Sequence, residues 1–183
     1  MKKTKVKELM IPLSDYATVK ETDTLAQVIH ALKQAQTTPD IRHRHRAVLV
    51  FGENKRIVGK LGYRGILKAL EPKYHQFERA EDTEAIGLSR FGFNYEFLHS
   101  LVDRLELWDE PMEALVKQAS GLLVKEIMSR PGSEEYVDLN APLAEALHQF
   151  ILGCHQSLLV KDKDRVVGII RLADLFDLVS DLT

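Results

Sequence analysis

The chain has 183 residues, enough for one substantial core or two small ones, and its 45% hydrophobic and 28% charged residues are ordinary for a soluble globular protein. A formal net charge of −2 gives no overall attraction to nucleic acid or anionic membrane, and one cysteine, Cys154, excludes an internal disulfide framework and fits a reducing compartment. No apolar run follows Lys2, Lys3 and Lys5, and none is long enough to span a bilayer, so we expect no signal peptide, no membrane contact and a cytoplasmic location.

The chain begins with a short apolar-polar segment, Val6–Met10, which Pro12 keeps from growing into a long helix. Tyr16–Lys20 reads as a strand. Thr22 and Thr24 offer N-cap hydroxyls to a helix over about 24–36, whose face is Leu25, Val28, Ile29 and Leu32. A loop then runs into Arg42-His-Arg-His-Arg46. Ala47–Phe51 is a continuous apolar run, read as a buried strand. The turn Gly52–Lys55 joins it to a second strand, Arg56–Leu61, and a helix over roughly 63–70 closes the unit. The order is β-α-β-β-α, and the helical crossover allows its first two strands to be parallel.

Residues 71–122 form an insert that Pro72 opens. Residues 78–85 are polar and give no clear pattern. Phe97, Leu98, Leu101, Val102, Leu105 and Trp108 form a helical stripe, which either packs on the rest of the chain or makes a subunit contact. Asp109-Glu-Pro111 starts a helix over about 110–120, and Gly121 suits a left-handed stop.

From 123 the first pattern returns. Tyr136–Leu139 is a strand. Asn140 is the expected cap of the next helix, with Pro142 in its first turn and Leu143, Ala144, Leu147, Phe150 and Ile151 on its apolar face. Strands Leu158–Val160 and Val166–Ile170 flank the charged turn Lys161–Asp164, and Leu172–Val179 is the closing helix. The return is a true repeat. Val124-Lys-Glu-Ile-Met128 restates Val6-Lys-Glu-Leu-Met10 at an offset of 118, as Val137, Leu143, Ala144 and His148 restate Val19, Leu25, Ala26 and His30. Ser157–Val160 matches Ala47–Val50, and Arg165-Val-Val-Gly168 matches Arg56-Ile-Val-Gly59. The chain is one unit doubled, divided as 1–70, an insert over 71–122, and 123–183.

Two β-α-β-β-α units, each led in by Val-x-x-φ-Met and each reaching φ-Val-Gly-φ-φ before a helix, resemble a tandem pair of CBS domains, a Bateman module. The resemblance implies an α/β (α+β) fold with the units packed about a pseudo-twofold axis and a helical insert between them. It implies an adenosine-containing ligand in the cleft between the units, a homodimer, and regulation rather than catalysis. In that family a hydroxyl residue and, three places on, an Asp follow the Gly-φ-φ strand. The Asp accepts from ribose hydroxyls and the hydroxyl residue reaches the phosphate. Here the second repeat reads Gly168-Ile-Ile-Arg171-Leu-Ala-Asp174, with Arg171 at the hydroxyl position. The first reads Gly59-Lys-Leu-Gly62-Tyr-Arg-Gly65, with glycine at both signature positions.

The resemblance therefore implies at most one well-formed nucleotide site, built on Asp174. Arg171 either holds a phosphate, fills the phosphate space with its larger side chain, lies in solvent or pairs with Asp174 itself. His45-Arg46 precedes a strand where some members contact phosphates, and His155 recurs at that place. The expected ligand residues are thus Asp174, Arg171, His45, Arg46, His155, Ile169 and Val137. AMP, ADP or ATP is the expected ligand, with no catalytic cofactor.

Each of these residues also has an ordinary structural use. Asp174 suits the first turn of a helix without any ligand. His43 and His45 alternate on one side of an extended segment, but two histidines fall short of a metal's usual three or four ligands. No phosphate loop and no nucleophile elbow is present, and Cys154 beside His155 reads as a packed thiol. No aromatic side chains interleave with the basic run to stack nucleic-acid bases. Two functions remain open. One is a nucleotide-binding regulatory module acting on a separate, unidentified effector protein. The other is a dimeric interaction scaffold with a degenerate site and a working surface on the insert.

Overall fold

The computed structural model describes residues 4–37, 45–71, 73 and 110–182. The expected stripe Phe97–Trp108, the polar stretch 78–85, and Arg42, His43 and Arg44 lie outside these residues.

Two sheets carry the fold. In the first, β2 (Thr18–Lys20), β3 (Ala47–Phe51) and β4 (Ile57–Gly62) lie in the order β2-β3-β4, with β2 parallel to β3 and β3 antiparallel to β4. The crossover between β2 and β3 contains helix α1 (Leu25–Gln36), and α2 (Tyr63–Leu70) follows β4. In the second, β5 (Tyr136–Asp138) is parallel to β6 (Ser157–Asp162), which is antiparallel to β7 (Arg165–Arg171). Helix α5 (Leu143–Gly153) joins β5 to β6, and α6 (Leu172–Asp181) follows β7. Before this unit come α3 (Met112–Ala119) and the single turn α4 (Val124–Ile127). The expected β-α-β-β-α order is present twice.

The lead-in segments cross over. Strand β1 (Ile11–Pro12) joins the second sheet, antiparallel to β7, with Ile11 opposite Ile169 and Pro12 opposite Gly168. Val6 N–H donates to Ala141 O at 3.0 Å and Val124 N–H to Asp23 O at 2.8 Å; Lys7 donates to Leu139 O and Lys125 to Glu21 O. Each pair repeats at an offset of 118, so the contacts obey the pseudo-twofold relation. The buried helix positions obey it as well. Leu25, Val28 and Leu32 on α1 match Leu143, Ala146 and Phe150 on α5.

Three apolar clusters result. One packs Val124, Leu115 and Ala119 with Leu25, Val28, Leu32, Val48 and Val50 of the first unit. One packs Val6 with Val137, Leu143, Phe150, Leu158 and Val160 of the second. The third joins Tyr16 and Leu49 to Leu159 and Ile169, with Ile11, Leu13, Ile57, Tyr136 and Val166 around them, and fastens one sheet to the other.

Several expectations change. Asn140 does not cap α5; Pro142 holds the cap position, and Asn140 sits in a turn with its N–H on Asp138 Oδ1 at 2.7 Å. The first N–H of the helix, that of Leu143, donates to Thr4 O at 2.9 Å across the crossover. Thr24 does cap α1, in a capping box with Gln27. Ile29, Leu147 and Ile151, expected on buried faces, are 39%, 40% and 63% exposed, because each sheet covers only a narrow strip of its helix. Gly121 is not left-handed; α3 ends at Ser120 in a right-handed conformation, and the chain runs on to Leu122, whose carbonyl accepts from Leu25 N–H at 2.8 Å. Strands β6 and β7 extend into the charged turn and leave Lys163, at φ 56°, to make the reversal.

Candidate nucleotide site between the units

The end of β7 and the start of α6 carry the signature residues. Arg171 is the N-cap of α6, and Asp174 is the third residue of the helix. The Asp174 carboxylate accepts from Arg171 backbone N–H at 3.2 Å and from Nε at 2.8 Å on one oxygen, and from Nη2 on the other. The guanidinium fork therefore grips both carboxylate oxygens. Arg171 thus forms the ion pair with Asp174 that was one of its readings. The pair is enclosed, with side-chain exposures of 14% and 8%. Burial disfavours the Arg171 cation, but the hydrogen bond and the charge of Asp174 outweigh it and hold the pKa above the usual arginine value.

Tyr16, from the first unit's lead-in, comes to the same place. Its ring is 6% exposed, belongs to the cluster between the sheets, and feels the charges of both Arg171 and Asp174. Burial is the main cause that pushes its hydroxyl up to about 12; Arg171 opposes the shift and Asp174 adds to it. His45 lies on Tyr16, ring centroids 4.0 Å apart at 49°, and is 2% exposed. Its Nε2–H donates to Asp15 O at 3.0 Å, since a carbonyl can only accept. His45 thus packs on Tyr16, and Tyr16 feels the charges of the Arg171–Asp174 pair.

Of the other expected residues, Ile169 shares the cluster of Tyr16. Arg46 is exposed, with its carbonyl accepting from Tyr63 N–H at 3.2 Å. His155, its relation to His45 notwithstanding, folds back against Gly153. Val137 is in the second unit's core and Ile169 in the cluster between the sheets. Cys154 is exposed and left-handed at the end of α5, not a packed thiol. Two surface depressions, one at His30, Lys33, Gln34 and Thr37 and one along β2 and the 52–55 turn, border none of the expected ligand residues.

The pseudo-equivalent position in the first unit is built differently. Gly62 is the N-cap of α2 without a side chain to offer, and Lys60, standing where the second repeat has Ile169, pairs with Glu135 and reaches Ser157 O at 3.5 Å. Among the described residues no group of three or more His, Cys, Asp or Glu could hold a metal ion. No helix among them is long and apolar enough to cross a membrane.

Sequence reasoning missed Tyr16 and Lys60. Both break the repeat, Tyr16 against Glu134 and Lys60 against Ile169, and that mismatch was the available signal.

The geometry is that of a doubled β-α-β-β-α module with the Arg171–Asp174 pair enclosed at the start of its last helix. The chain belongs to the CBS domain family, which it matches over residues 6–72 and 124–181. Solved structures share the fold at low identity. The CBS domain-containing protein of unknown function from Bacillus anthracis aligns with a TM-score of 0.61 at 15% identity, covering 98% of this chain and 95% of that one. The CBS domain of a CBS domain-containing membrane protein from Sphaerobacter thermophilus aligns at 0.60 and 18%, covering 97% and 88%. CBSX2, solved in complex with AMP, aligns at 0.58 and 15%, covering 97% of each chain. No curated protein matches the sequence.

Proposed function

We propose that this protein is a non-catalytic regulatory module that binds an adenosine-containing nucleotide between its two CBS units and signals to a separate partner protein. The observation that carries the reading is the enclosed Arg171–Asp174 pair of the second unit, whose charges act on Tyr16 of the first unit's lead-in. Asp174 offers the acceptor a ribose hydroxyl needs. Arg171 offers a permanent cation for phosphate. Because these groups come from both units, a ligand that touches them changes the free energy of the units' relative placement, which a partner can read. The complex of CBSX2 with AMP makes AMP the first ligand to try.

The module acts as a homodimer. The second unit exposes Leu147 and Ile151 on α5 and Leu172, Phe176 and Val179 on α6, with Phe176 67% exposed. The second reading, an interaction scaffold with a degenerate site, is favoured by the Arg171–Asp174 pair, in which each residue already satisfies the other.

Thermal unfolding with AMP, ADP and ATP separates the two. A nucleotide at about 100 times its dissociation constant stabilises the native state by roughly 2.7 kcal/mol and raises the midpoint by a few degrees. That shift supports the module reading. A flat response up to millimolar concentration overturns it and leaves the scaffold.

A further inference from the structure

We propose that Arg171 is a resident occupant of the Asp174 site and makes it select for phosphate-bearing ligands over neutral nucleosides. The inference rests on the nucleotide reading above and adds its specificity.

In this protein the signature acceptor is closed by the chain's own guanidinium. Arg171 donates to Asp174 through Nε at 2.8 Å and through Nη2 to the other oxygen, so no carboxylate oxygen lacks a cationic donor. Both side chains are largely enclosed. A ribose hydroxyl reaches Asp174 only by displacing part of this fork. A neutral nucleoside replaces a charge-assisted hydrogen bond with a weaker neutral-donor one and separates a partly buried cation from the Asp174 carboxylate. A nucleotide does not, because its phosphate takes over the guanidinium as its ribose takes over the carboxylate. The exchange conserves both pairings: Arg171–Asp174 becomes Arg171–phosphate and Asp174–hydroxyl. The small hydroxyl residue of the usual signature sets no such condition.

Asp174 also accepts the Arg171 backbone N–H at 3.2 Å, an anchor that does not depend on the side chain at position 171. Arg171→Ser therefore opens the carboxylate without removing the helix cap. Asp174→Asn keeps an oxygen for that cap and removes the charge.

The test is calorimetric titration of AMP and of adenosine into the full chain and into R171S and D174N, with circular dichroism to verify each fold. The intact protein is expected to prefer AMP. In R171S adenosine tightens and AMP weakens, so the AMP-over-adenosine ratio falls by about tenfold or more, the scale of one charge-assisted pair. D174N is expected to weaken both ligands. An unchanged ratio in R171S with AMP still bound overturns the inference and leaves the nucleotide reading standing. No binding of either compound by any of the three proteins overturns both.

Discussion

Val6 and Val124 hold equivalent places in the two repeats, and each is fully buried in the core of the opposite unit. The crossover ties the halves together through core packing as well as through the face between the sheets. Val6→Ala removes buried methyl groups next to Val137, Leu143 and Phe150, at a cost of about 2 kcal/mol. Its effect is expected remote in sequence. Amide hydrogen exchange should accelerate in residues 136–170 before it does in 47–61, and Val124→Ala should reverse that order. Equal acceleration in both units for either variant would mean that they unfold only as one block.

The Val-Gly step that ends each repeat has a physical reason. A Cβ at Gly168 would lie 2.5 Å from Ile11 O, a backbone carbonyl held in the β1–β7 ladder. At Gly59 the main obstruction is the Met128 side chain, with Ser129 O further off at 3.1 Å. A methionine can swing aside and a ladder carbonyl cannot. Gly168→Ala is therefore expected to destabilise by about 1–3 kcal/mol in urea unfolding, and Gly59→Ala by clearly less. The opposite ranking would show that the Ser129 contact governs.

Stability at high pH reports the burial of Tyr16. Its hydroxyl is raised from 10.0 to about 12, so above pH 10 the unfolded chain has lost a proton that the folded chain keeps. With fewer protons on the unfolded state, stability falls as pH rises. The contribution is complete below pH 10 and is lost through about pH 12, amounting to about 2–3 kcal/mol. Denaturant curves of the protein and of Tyr16→Phe should differ by that slope between pH 10 and 12. Parallel curves would place the hydroxyl in solvent.

The exposed face of α6 is a direct test of assembly. Phe176→Asp puts a charge on a residue that is 67% exposed, so the fold should tolerate it. If that face joins two copies, light scattering should show a dimer for the native protein and the 20.8 kDa chain for the variant. An unchanged dimer would move the contact to another surface.

The sequence by itself determined the doubling. An offset of 118 with Val-Gly steps in register specifies two like units, and the alternation of apolar runs with α-spaced faces specifies their β-α-β-β-α order. The resemblance to CBS domains also singled out Arg171 and Asp174, which stand at that family's signature positions. What the sequence could not determine is which unit a lead-in serves. Val6 and Val124 are apolar in either arrangement, and only the cores of Val137 and Val50 show that they cross. Nor could spacing along the chain bring Tyr16 onto His45, 29 positions away, or within reach of the charges of an ion pair at the other end. Helix periodicity marked Leu147 and Ile151 as apolar but not as exposed. How wide a strip of a helix is covered depends on the sheet beneath it, and that is a property of the assembled fold. The pairing of Arg171 with Asp174 was one of several readings until the N-terminal turn of α6 placed both groups on one enclosed edge, where each charge stabilises the other.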